Sequence, residues 1–248
     1  RSPTEQRSFE KIVVTLSDDY YLDAYVWDGT AWTVTNNIGY VGSGPANQRC
    51  FDVAYEKTSG RALLVYSRGT TTNEIGYRIW TFGTGWSSEN LFDPPYTSHQ
   101  VYLLSLAAKP TSGANEIAMI YFDDWGYLQG CVWTGSSWSL MGETTFWDDF
   151  IGTYQQEDIA VAYEQQSGRG MFIWGDKNNG DNNYRIWNGT TLSATATLTI
   201  SGGGAITWVT LKHDPASNKL MYLDIDKSQN LYTVYWNGSA WDVAALHD

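Results

Sequence analysis

Carboxylates recur at corresponding places along this chain: Asp18 and Asp19, Asp123 and Asp124, Asp176, and Asp224 and Asp226. Acceptor oxygens at repeated positions suit two chemistries, hydrogen bonding to sugar hydroxyls or coordination of a hard cation. Trp125 follows Asp123 and Asp124 directly, and Trp147 stands before Asp148 and Asp149, so aromatic and acidic groups lie together twice. An apolar ring beside a few polar groups is the usual make-up of a small-ligand site. The candidate ligand-binding residues are therefore Asp123, Asp124, Trp125, Trp147, Asp176, Asp224 and Asp226. The run Asp176-Lys177-Asn178-Asn179-Gly180-Asp181 alternates oxygen ligands as a calcium loop does, which makes Asp176, Asn178 and Asp181 candidate metal ligands. It lacks the bidentate Glu such loops end on. The competing reading of all these acids is turn chemistry, because Asp bonds its own backbone in turns.

Catalysis has little support. His99, His213 and His247 are scattered, and His213 stands where another repeat has Tyr163, which points to a structural role. No Gly-x-Ser-x-Gly elbow, His-Glu-x-x-His pair or Walker loop occurs, and no Cys/His cluster has zinc spacing. Paired carboxylates serve glycoside hydrolysis, but nothing singles out one pair among several equivalent ones. No cofactor is expected beyond the calcium candidate.

The whole chain is acidic, with a formal net charge of −12 over 248 residues and no basic cluster. That argues against nucleic acid and against an anionic membrane surface. No apolar run is long enough to span a bilayer. Cys50 and Cys131 fall at different places in their repeats, so a disulfide is possible but not implied. No signal peptide is seen, as in a mature or trimmed product. The sequons Asn188-Gly189-Thr190 and Asn237-Gly238-Ser239 suit an extracellular or cell-surface location.

The elements that position these residues are repeats. A strand ending in Trp, a Gly-containing turn and usually a second Trp recur as Val26-Trp27-Asp28-Gly29-Thr30-Ala31-Trp32 and Ile186-Trp187-Asn188-Gly189-Thr190-Thr191-Leu192. The leading Trp falls at 27, 80, 133, 187 and 236, at steps of 53, 53, 54 and 49. Alternation up to the Trp predicts a strand, and Asn-Gly or Asp-Gly predicts a tight turn with positive φ. The two aromatics are expected to pack across it, and the first, Trp187 for instance, to wedge neighbouring repeats together.

Upstream, Ala54-Tyr55-Glu56 leads through Ser59-Gly60-Arg61 to Leu63-Leu64-Val65, and Ala162-Tyr163-Glu164 leads through Ser167-Gly168-Arg169 to Met171-Phe172-Ile173. Asn218 replaces the Gly in the last repeat and is expected to keep its left-handed turn. A full repeat thus has four strand candidates, 51–56, 61–67, 75–81 and 86–91 in the second. The acidic groups fall between the second and third strands.

Four short antiparallel strands per fifty-odd residues resemble the blade of a β-propeller. The resemblance implies an all-β, five-bladed propeller in one domain over 1–248, with repeats near 8–41, 49–95, 98–147, 156–203 and 205–248. It is not of the WD type and lacks the Ser-x-Asp-x-Gly-x-x-Trp box of sialidase-like propellers. In repeat length and Trp content it looks somewhat like five-bladed lectins of the tachylectin type, without their motifs.

The first blade is incomplete. Its inner strand falls near residues 1–6, where Pro3 and the polar neighbours make a poor strand. Lys11 to Ser17, with its apolar run Ile12-Val13-Val14, is then a sticky edge open to strand addition and self-association. The expected function is a secreted or cell-surface, non-enzymatic propeller that binds a ligand, carbohydrate foremost, through aromatic and acidic loops. The alternatives are a structural subunit of an extracellular assembly completed by another chain's strand and, third, a glycan-active enzyme.

Overall fold

The structure is a computed structural model that describes residues 9–45, 48–69, 74–94, 99–141, 157–175, 181–200 and 202–247. Its strands form five antiparallel sheets. The first is β1 (Lys11–Leu16), β2 (Tyr21–Trp27) and β3 (Trp32–Tyr40). The second is β4 (Phe51–Tyr55), β5 (Ala62–Ser67) and β6 (Ile75–Thr81), edged by β7 (Gly85–Trp86) and β8 (Asn90–Phe92). The third runs through β9 (Val101–Ala108), β10 (Ile117–Asp123), β11 (Leu128–Trp133) and β12 (Trp138–Ser139). The fourth has β13 (Ile159–Tyr163), β14 (Gly170–Gly175), β15 (Asn182–Trp187) and β16 (Ala196–Leu198). The fifth has β17 (Ile206–His213), β18 (Leu220–Asp226), β19 (Leu231–Trp236) and β20 (Ala245–His247).

Sheets follow one another as blades. The inner strand β4 lies against β9, β9 against β13 and β13 against β17. Strands β10, β11 and β14 are buried along their whole length, because these blades pack on a neighbour at each face. Small side chains on the inner strand, such as Ala160 and Ala162, let the blades approach there. Burial of some 150–250 Å² by each large aromatic makes the seams the main apolar reservoir of the fold.

The leading tryptophans sit in those seams. Trp133 Nε1 donates to Glu56 Oε1 of the preceding blade at 2.7 Å, and Trp236 Nε1 to Glu164 Oε1 at 2.7 Å. Trp187 donates to Glu116 at 3.2 Å and Trp80 to Glu10 at 3.3 Å. Arg61 and Arg169 hold Glu56 and Glu164 through two nitrogens each, so these carboxylates are ion-paired as well as buried. Trp187 is thus the inter-blade wedge expected of it, in one apolar cluster with Leu103, Ala118 and Phe122 of the blade before. The second aromatic also packs as expected: Trp27 meets Trp32, Trp80 meets Trp86, and Trp236 meets Trp241 at centroid distances of 5.5, 5.5 and 5.4 Å.

Two local expectations change and a third gains its mechanism. The Asp-Gly and Asn-Gly pairs form tight turns with positive φ at the Gly, as expected, and an acceptor side chain closes them. Asn188 Oδ1 accepts from the backbone N–H of Thr190 and Thr191, and only Gly189 is left-handed, at φ 98°. Asp28 and Asn237 build the same Asx turn, since a short acceptor side chain stands in for a backbone carbonyl. The outermost strand, expected over 86–91, is broken into β7 and β8, and its counterparts β12, β16 and β20 are two or three residues long, while β3 of the first blade has nine. Asn218 is not left-handed; its Oδ1 instead accepts from the backbone N–H of Gln166 and Ser167 of the preceding blade, as Asn115 does from Ser59.

The first sheet has three strands, and β1 is its innermost among the described residues; residues 1–8 lie outside them. Cys50 and Cys131 are buried free thiols, with no disulfide between them. Burial pushes the Cys50 thiol up to about 12. No helix of the described residues is long and apolar enough to cross a membrane.

Candidate functional site

The turn between β10 and β11 carries three of the sequence candidates. Asp123 ends β10, is fully buried, and its Oδ1 accepts from the backbone N–H of Trp125 at 3.0 Å and Tyr127 at 2.9 Å. Gly126, at φ 89°, lets the chain reverse. The reversal throws Trp125 outward until it is 61% exposed. A bulge at the Phe122/Asp123 step of the β9–β10 pairing brings the start of β9 across this turn. Gln100 O accepts from Asp124 N–H at 2.9 Å, and His99 comes to rest on Trp125.

The result is an aromatic shelf. The His99 and Trp125 rings stack at 4.5 Å with 24° between planes, and Tyr127 lies 6.4 Å from Trp125 with 19° between planes. His99 Nδ1 is 3.3 Å from Asp124 Oδ1, which fixes the imidazole beside the carboxylate. Gly44, from the loop after the first blade, approaches from the side: a Cβ there would come within 2.9 Å of the Tyr102 hydroxyl and 3.2 Å of Gln100 Oε1. An exposed indole held flat, with a carboxylate, an imidazole and an amide at its rim, can stack on an apolar ligand face while accepting hydroxyl protons at the edge. Asp123 itself is not offered to a ligand. Burial raises its pKa, and its Oδ2 is buried without a hydrogen-bond partner.

Those of the remaining candidates that lie among the described residues do not join this shelf. Asp226, on the fifth blade, builds the same turn and accepts from the backbone N–H of Ser228, Asn230 and Gly204. Asp224 is buried against the Tyr222 hydroxyl at 3.0 Å and Asn182 Nδ2 at 3.4 Å, and burial pushes its pKa up to about 6. Trp147, Asp176 and Asn178 lie outside the described residues. Asp181 stands just before β15, and among the described residues no group of three or more acidic, His or Cys side chains is placed to hold a metal ion.

Sequence reasoning missed His99, Tyr127 and Gln100, whose part depends on a bulge and a crossing that leave no local pattern. It missed Asp158 as well. That residue precedes β13, is buried with one oxygen unpaired, and burial raises its pKa to about 8. The second blade, which has Arg68 in place of Asp, forms a closed polar network instead: Arg68 bridges Glu74 and Glu89, and the Tyr66 hydroxyl donates to Glu89 at 2.7 Å.

No protein-family model matches this sequence, and no curated protein matches it. Solved structures do. Aleuria aurantia lectin, reported as a six-bladed propeller with a fucose recognition mode, matches 96% of this chain over 73% of its own, at TM-score 0.64 and 14% identity. The fold is a β-propeller. BP39L lectin from Burkholderia pseudomallei matches 96% of the chain over 66% of its own at TM-score 0.70 and 11% identity. AofleA from Arthrobotrys oligospora matches 95% over 67% at TM-score 0.60 and 13% identity. These likenesses establish the propeller architecture, to which this chain brings five blades.

Proposed function

We propose that this propeller is a non-enzymatic carbohydrate-binding protein that works outside the cell, and that Trp125 is the platform of its sugar site. The observation that carries the reading is the exposed Trp125 ring, locked against His99 and flanked by Asp124. A pyranose has a C–H face for such a ring and hydroxyls for such a rim. That proteins of the same fold include lectins, one of them solved with alpha-methyl-L-fucoside, supports the choice of ligand class. A hydrolytic role is disfavoured by the neighbouring acids. Glycosidases present two carboxyl groups to one bond, whereas Asp123 is turned into its own backbone.

A glycan array followed by titration with the best monosaccharide tests this. Wild type is expected to bind and to release no reducing sugar, while Trp125→Ala binds at least about tenfold more weakly, the loss of one hot-spot contact. Unchanged affinity in Trp125→Ala removes the site from the proposal.

A further inference from the structure

Four seams join the five blades, and each is closed by the same device: an acid on one blade holds the leading Trp of the next. One half of that device is left over at each end of the series. Blade one carries Trp27, which has no carboxylate partner among the described residues. Blade five carries Asp214 at the place of Glu56 and Glu164. Its N–H takes Lys219 O just as Glu164 N–H takes Arg169 O, and Ser217 bonds it as Ser167 bonds Glu164. No indole among the described residues bonds it.

The apolar faces around these two halves are uncovered as well. In blade four, Ala162, Met171 and Ile186 lie side by side across three strands and pack on blade five. The matching trio of blade five is Lys212, Met221 and Tyr235, and there Met221 is 44% and Tyr235 37% exposed. On the other side, Tyr222 and Val234 pair across strands of blade five and are buried against blade four. Their counterparts in blade one are Val13 and Tyr25, with Val13 46% exposed and the nearby Trp32 48%. A hollow of about 310 Å³ lies over Met221 and Tyr235, and another of about 220 Å³ is walled by Val13, Tyr25 and Trp32. These are the face that grips the next blade and the face that is gripped by the previous one. In every other seam both are covered.

We propose that the opening between blades five and one is a docking surface for one further blade of this molecule's own repeat type. The closed seams define its chemistry. Toward blade one it presents a Glu that accepts the Trp27 indole N–H; toward blade five it presents a Trp that reaches Asp214. Lys212 and Lys219 beside Asp214 favour an acidic rim on the incoming repeat. Continuity with four seams that each join an acid to the next blade's Trp identifies the occupant, and the match to a six-bladed lectin shows that the fold has room for it. A second copy fits less well, because it brings five blades to an opening whose two faces each accept one.

The test is a fusion of the whole 248-residue chain to a second copy of its residues 157–204, which carry Glu164 and the hairpin of Trp187. The filled seam is expected to raise Tm by at least about 5 °C and to cut binding of a hydrophobic dye at least about twofold. Replacing the Glu164 of the appended copy by Gln, with the first copy intact, returns part of both changes. An appended repeat that leaves Tm and dye binding unchanged overturns the proposal. So does an unfused chain that binds no dye and shows slow hydrogen exchange at Val13 and Tyr235. Found in a monomer, that protection means the blades close directly; found in a dimer, it means a second copy is the occupant.

Discussion

The β10–β11 turn of blade three and the β18–β19 turn of blade five have one backbone and two outcomes. In each, an Asp at the first position takes two backbone N–H groups two and four residues on, at 3.0 and 2.9 Å from Asp123 and 2.8 and 2.9 Å from Asp226. In each, the fourth residue is left-handed, Gly126 at 89° and Gln229 at 68°. The acids nevertheless titrate in opposite directions. Burial raises Asp123. For Asp226 burial works the same way, but Asn230, through backbone and side chain, together with Gly204 and Ser228, outweighs it and holds the carboxyl below its usual range. The balance between burial and hydrogen-bond donors, not the turn, sets the sign. The exposed third residue then decides what the turn shows to solvent: Trp125 in one, Ser228 in the other. Scaffold and display are separate layers of the same loop.

The largest effect is expected at the seam beneath blade three, as a reference for both turns. Trp187→Ala removes a buried indole and the Glu116 bond, and should cost about 3–5 kcal/mol in denaturant unfolding. A loss under about 1 kcal/mol contradicts the wedge. Next, Asp226→Ala should cost about 2–4 kcal/mol and Asp123→Ala measurably less, because four donors lose their acceptor in the first and two in the second. Equal losses would mean that the extra donors add nothing.

The buried acids at the joint of blades four and five sharpen the contrast in pH. Asp158 and Asp224 have folded pKa values of about 8 and about 6, above the unfolded value. The folded state binds their protons more tightly, so their contribution is complete below pH ~4 and is lost as pH rises through 6 and 8. Asp158→Asn is expected to flatten the decline of Tm between pH ~5 and ~9. Asp226 runs the other way: its contribution is lost as pH falls through its lowered folded pKa, and Asp226→Asn should flatten the acid limb. The smallest effect on stability is that of Trp125→Ala, within about 0.5 kcal/mol as for exposed positions. The reciprocal Ser228→Trp should gain no sugar binding, because blade five has Gly204 ahead of β17 where blade three has His99 ahead of β9. Binding gained by that variant would show that the ring alone suffices.

Periodicity made the propeller legible. Five tryptophans at even spacing, each followed by a turn and in four copies by a second Trp, mark one hairpin per blade, and these pairs do meet across their turns. Turn chemistry as the competing reading of the acids describes what Asp123 and Asp226 do in the fold. The seams were less legible, because Glu56 and Trp133 stand 77 residues apart and no local pattern couples them. Asn218 shows the limit of substitution logic. It tolerates the conformation of the Gly it replaces, yet its side chain has an acceptor that Gly lacks, and two donors on the corresponding turn of the preceding blade claim it. The shelf was half visible: Asp124 and Trp125 stand together in sequence, while His99 joins them through the bulge opposite β10.

The Glu–Trp clasps carry one more implication, for cooperativity. Each ties a blade only to its nearest neighbour, so the molecule behaves as a short linear array of coupled units. Among the described residues, blades one and five meet another blade on one side only, the other side being the open seam. While that seam is unfilled, opening begins at blades one and five and moves inward, one clasp at a time, and blade three is the last to exchange its amide hydrogens. The local opening free energy should rise from the terminal hairpins, such as that of Trp27, toward the central strand β10. Filling the seam should quiet that breathing, and the shelf around Trp125 sits on the blade that breathes least in either case.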